Sequence, residues 1–101
     1  MSFTTIGPKD VSENKVVEFP FVDELGTGES ISSASVDISV TSGVDPSPNS
    51  MKVGSAVIVG TSVYQRISGG IANVTYHLRA TANAITGSVH VVATDLTVVN
   101  L

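Results

Sequence analysis

Residues 74–82 alternate without a break. Val74, Tyr76, Leu78, Ala80 and Ala82 fall on one side, and Thr75, His77, Arg79 and Thr81 on the other. Successive side chains of an extended chain point to opposite faces, so this run presents one apolar face only as a β-strand. Residue choice along the whole chain agrees. Of 101 residues, 17 are Val, 7 Ile and 10 Thr, whereas Leu, Glu and Lys number 4, 4 and 3. β-Branched side chains lose χ1 freedom in a helix and fit a pleated surface. The chain reads as all-β.

The other strands follow from the same period. Residues 15–22 place Val17, Phe19 and Phe21 on one face, and Pro20, which has no N–H for a ladder, marks an edge strand or a bulge. Residues 30–41 carry Val36, Ile38 and Val40 opposite Asp37 and Ser39. Residues 53–59, VGSAVIV, read as a short and mostly buried strand, and Gly60 turns it into 61–68, where Val63, Gln65 and Ile67 oppose Tyr64 and Arg66. In 89–99 the apolar parity changes from Val89, Val91 and Ala93 to Leu96 and Val98, which predicts a bulge or break near Thr94-Asp95. Turns fall at 23–29, in the Gly/Pro-rich 42–51, at Ser68-Gly69-Gly70 and at 83–88.

Six to seven strands at this spacing predict an antiparallel β-sandwich of immunoglobulin-like size rather than a closed barrel. Residues 1–14 show no sustained periodicity and contain the breaker pair Gly7-Pro8. They read as an N-terminal arm ahead of a sandwich domain spanning 15–101, with Phe3 and Ile6 as residues that could dock on a partner.

Charge and composition exclude several classes. The net charge is −4, and all of it lies in residues 1–30, where Asp10, Glu13, Glu18, Asp23, Glu24 and Glu29 face Lys9 and Lys15. A nucleic-acid footprint needs clustered Lys and Arg, so no nucleic-acid partner is expected. An acidic face could meet a basic partner, or simply protect an edge strand with charge. There is no apolar run long enough for a membrane helix and no basic-then-apolar leader at the start, so neither membrane nor export is expected. Cysteine is absent and only His77 and His90 are present, which predicts no disulfide and no metal site. No nucleophile elbow, P-loop or zinc-protease motif occurs, and Gly26-Thr27-Gly28 lacks the strand–helix context of a phosphate loop. The expectation is therefore no enzyme, no catalytic residue and no cofactor. The histidines read as outward strand residues, with Asp95 the one carboxylate placed to join them. Among five aromatics, Tyr64 beside Arg66 is the ring left outside the core, which makes Tyr64 and Arg66 possible partner contacts.

The order of short motifs resembles a family of small phage-encoded immunoglobulin-like proteins, described as fibre, head-fibre or decoration-like. The resemblance rests on Lys9-Asp10, a strand ending near Leu25, and the step Gly28-Glu29-Ser30-Ile31-Ser32-Ser33. It continues through Ser68-Gly69-Gly70, Asn73-Val74-Thr75-Tyr76 and Gly87 before the last strand. It covers about residues 9–99, although the family's Trp is missing and Glu29 stands where Asp is usual. It hands over no catalytic or ligand residues. It implies a virion component, assembled in the host cytoplasm, whose partners are the phage major capsid protein or other virion proteins, with homo-oligomers or lattice copies. The first expectation is a capsid decoration, or cement, protein. The alternatives are a neck, tail or head-fibre component, or a host-surface carbohydrate or receptor-binding module.

Overall fold

A computed structural model describes residues 2–5 and 9–100, and for 2–5 the backbone path alone. Among the described residues eight strands form in chain order: β1 (Ser2–Thr5), β2 (Lys9–Asp10), β3 (Asn14–Pro20), β4 (Ile31–Ser42), β5 (Lys52–Val59), β6 (Ser62–Ser68), β7 (Thr75–Ala84) and β8 (Val89–Val99). A 3-10 turn, Pro48–Met51, precedes β5. The strands make two sheets. The larger runs β1-β8-β7-β4 with β2 also on β8, and the smaller runs β3-β6-β5. All pairs are antiparallel except β1 and β2, which lie parallel to successive stretches of β8. This is an immunoglobulin-type strand arrangement, with the first strands joined to the sheet of the last. The six strands from β3 onward match the expected number, and β1 and β2 come from the segment read as an arm.

The core lies where the two sheets face each other. Val17, Phe19, Phe21, Val63 and Ile67 from the smaller sheet pack against Val36, Ile38, Tyr76, Leu78, Leu96 and Val98 from the larger. Tyr76, near the start of β7, locks one end. Its hydroxyl donates to Asp45 Oδ2 at 2.7 Å and accepts from the Ile71 amide at 2.9 Å, five residues upstream. Burial first, then the Asp45 carboxylate, pushes the Tyr76 phenol upward. The turn at Gly70 needs its glycine: φ is +95°, and a Cβ there would sit 2.8 Å from Val98 Cγ2. Next to it, the fully buried Lys9 amine donates to the Gly69 carbonyl at 2.6 Å and to its neighbour's, Asp10, at 2.7 Å. Burial lowers the Lys9 pKa, opposed by Glu13 and Asp10.

Three strand readings change. β8 carries no bulge at Thr94-Asp95. Its register with β7 runs unbroken from Thr75↔Thr97 to Asn83↔Val89, and Val92, Thr94, Leu96 and Val98 are all buried on the even side. The sequence misleads here because valines at 89 and 91 occupy outward positions while His90 and Thr94 take inward ones. His90 accordingly lies on the core-facing side rather than outward. β5 is the third change: it is mostly exposed, not buried.

Candidate functional site

The exposed valines of β5 are part of a surface that spans the smaller sheet. Residues paired across strands share a face. The register sets three rows on the outer side: Val16–Arg66–Val53, Glu18–Tyr64–Val57 and Pro20–Ser62–Val59. Val16, Val53, Val57 and Val59 remain 48, 40, 56 and 59% exposed. Single exposed valines are ordinary, but Val53, Val57 and Val59 on β5, with Val16 across Arg66 on β3, concentrate apolar area on one three-stranded face, and such surfaces mark contact sites.

Tyr64 and Arg66 stand on the middle strand of this face, with valines on β5 and β3 around them. Glu18 Oε2 accepts from the Ser62 hydroxyl at 2.8 Å and the Tyr64 hydroxyl at 3.2 Å. Partial burial, then the Glu18 carboxylate, raises the Tyr64 pKa. Arg66 Nη1 donates to Asn14 Oδ1 at 2.8 Å. Both long polar side chains are thus held against β3 and leave the apolar row on β5 open. Tyr and Arg on the middle strand of a face, with exposed apolar residues beside them, are residue types that often anchor a protein contact.

β5 bends to present this row. Its pairing with β6 skips from Val53 to Val57, with Gly54 at φ +72°. The buried Gln65 replaces the lost ladder bonds: its amide nitrogen lies 3.2 Å from the Gly54 carbonyl, 2.9 Å from that of Arg66 and 3.4 Å from that of Val53. On the other side of the bend, a groove of about 240 Å³ separates β5 from β4. There, Lys52 Nζ donates to the Val36 carbonyl at 2.8 Å, and Asn49 Oδ1 accepts from the Ile38 amide at 2.9 Å. These side chains occupy the free edge of β4, which blunts it as a template for strand pairing.

The other residues that the sequence marks as candidates lie elsewhere. Phe3 stands on β1 beside Ala93, in the other sheet, and its side chain is outside the described part. Ile6 lies outside the described residues. The histidines are not brought together. His77 Nδ1 is 2.9 Å from Asp95 Oδ1 on the outer face of the larger sheet. His90 Nε2 is 2.9 Å from Glu29 Oε1 at one end of it. Glu29 also accepts from Thr86 Oγ1 and from the Gly26 amide at 3.0 Å. Thr86, Gly26 and then His90 hold the Glu29 carboxyl down to about 2.

Register also aligns Ser39, His77 and Asp95 across β4, β7 and β8. These are the residue types of a hydrolytic relay, but a relay also needs a cleft and donors for an oxyanion. The row stands on the outside of a sheet, and the β4–β5 groove includes none of its members. Among the described residues, no three His, Cys, Asp or Glu side chains gather to hold a metal ion.

Val16, Val53, Val57 and Val59 are not singled out by sequence reasoning, and Glu18 is named only as one of the acids of residues 1–30. A signal is present, since Val53, Val57 and Val59 share one parity, but it is identical to that of a core strand.

No curated protein and no solved structure matches the chain. Residues 9–97, which contain every row of the apolar face and exclude β1, match the model of a family described as podophage GP4 fiber-tail adaptor protein gp77, and the chain belongs to that family.

Proposed function

We propose that this protein is a structural adaptor of a podophage tail, joining a fibre to the tail, and that it docks through the outer face of its smaller sheet. The family match is what supports this location. It supports the tail and fibre reading ahead of capsid decoration. The surface comes from the four exposed valines around Tyr64 and Arg66. An adaptor works by contact alone, so it needs rigidity and a complementary patch. The sandwich supplies the first, with Phe19, Ile67 and Tyr76 fully buried beneath the face. The partners are other virion proteins, and Tyr64 and Arg66 are the contact residues we assign. Quantitative mass spectrometry of purified particles, scaled to the major capsid protein, tests the location. A few copies to a few dozen per particle, with antibody label at the tail, supports the adaptor reading. Hundreds of copies spread over the shell would return the protein to decoration, and no copies would remove it from the virion.

A further inference from the structure

We infer that the occupant of the apolar face is a different virion protein, one that presents an apolar centre flanked by lysines or arginines, rather than a second copy of this chain. The inference rests on the adaptor reading and adds the chemistry of the partner. Two observations carry it, the area of the face and the placement of charge.

The face is three strands wide and seven residues long on β3 and β6. At ~3.3 Å per residue and ~4.8 Å between strands, that is roughly 23 by 14 Å, or about 300 Å². Self-standing complexes bury about 800 Å² on each partner. A pair of copies held by this face alone would fall well short. A patch of this size suits one contact among several, as when an adaptor is gripped by a larger assembly.

The charge is one-sided. β3 forms one border of the face. Glu13 lies just before it, Glu18 within it and Asp23 just after it. Lys15 is the one basic residue of β3, and it lies 3.8 Å from Glu13. β5, the other border, contains no acid: it reads Lys52, Val53, Gly54, Ser55, Ala56, Val57, Ile58, Val59. A complementary surface therefore meets valines over β5 and the Glu18 carboxylate on β3, with the exposed Asp23 beyond its end, while Glu13 is taken up by the Asp10 amide at 2.8 Å and by Lys15. A second copy has no basic cluster to offer. Its exposed face supplies Arg66, already bonded to Asn14, and its net charge is the same −4. Like charge opposes self-docking, while a basic flank on a different protein steers it in and fixes register.

Photo-crosslinking in assembling particles tests this. A benzophenone amino acid is placed at Val57, and at Thr81 on the outer face of the larger sheet as a control. In parallel, zero-length carboxyl-to-amine coupling links acids to any lysine in direct contact. The expected result is a Val57 product with another virion protein, at least about tenfold above the Thr81 product. Coupled peptides should join Asp23 to that protein's lysines. Asp23→Lys, an exposed turn substitution, should lower the Val57 product several-fold, and salt at about 1 M should release the partner, since screening then acts within ~3 Å. Thermal melts of each variant confirm that folding is kept. A Val57 product with a second copy of this chain overturns the inference. So does a product insensitive both to Asp23→Lys and to salt. In either case the tail location stands. Absence of the chain from particles overturns the adaptor reading itself.

Discussion

The outer faces of the two sheets are built from different rows. On the larger sheet three central rows run Asp37–Arg79–Ala93, Ser39–His77–Asp95 and Ser42–Thr75–Thr97, and valines enter only toward one end, at Val91 and the exposed Val89. Their polar groups answer one another sideways, as His77 does with Asp95 at 2.9 Å and Thr75 with Thr97 at 3.0 Å. On the smaller sheet, Ser62 and Tyr64 donate to Glu18 and Arg66 donates to Asn14, all toward β3, and Val53, Val57 and Val59 stand open beyond them. A sheet face meant for water closes its own polar network. A face meant for another protein leaves apolar area that nothing within the chain covers.

Five substitutions separate the inner from the outer sides of these sheets. The largest effect belongs to β3, which has one side in each world. Phe19→Ala, on the core side, should cost about 3–5 kcal/mol in chemical denaturation, whereas Val16→Ala, on the open side, should stay within about 0.5 kcal/mol. Equal losses would mean that Val16 is structural and the face is not free. Next is Gln65→Leu. It strips partners from the buried bend of β5, and a loss of about 1–3 kcal/mol is expected from denaturant midpoints. Third is the acid range. Glu29 has a folded pKa of about 2 against an ordinary 4.5. Because the folded value is the lower one, its contribution is complete above about pH 4.5 and fades as pH falls from there toward 2. Glu29→Gln should flatten the fall in melting temperature over that window, which scans at stepped pH will show. A small effect is also expected on the outer face of the larger sheet, where His77→Gln should shift stability by no more than about 0.5–1 kcal/mol.

What the sequence discloses follows the same division. β3, β6 and β7 are legible because each has one side buried and one side polar, so Val17, Phe19, Val63, Ile67 and the run from Val74 to Ala82 announce their phase. β5 is not. A valine that faces a core and a valine that faces a partner have the same pattern, and only the position of the second sheet tells them apart. β8 fails for the converse reason. Its inward side holds His90 and Thr94, and its outward side Val89 and Val91, so hydrophobicity points to a bulge that the unbroken register with β7 excludes. Tyr64 and Arg66 stand out as candidate contacts because they oppose an apolar set, yet the exposed valines beside them come from neighbouring strands. Some pairings resolve only in three dimensions. Lys9-Asp10 and Ser68-Gly69-Gly70 are separate motifs in the chain, and the Lys9 amine on the Gly69 carbonyl joins them.

The most direct measurement compares two single substitutions in the assembled particle. Val57→Asp places a charge in the middle row of the apolar face, and Thr81→Asp places one on the polar face of the other sheet. Both proteins are first shown to melt as folded domains, and copies per particle are then counted by mass spectrometry. A loss of about tenfold or more for Val57→Asp, with near-normal incorporation of Thr81→Asp, is the predicted result. Full incorporation of Val57→Asp, or equal loss of both, would contradict docking through the smaller sheet.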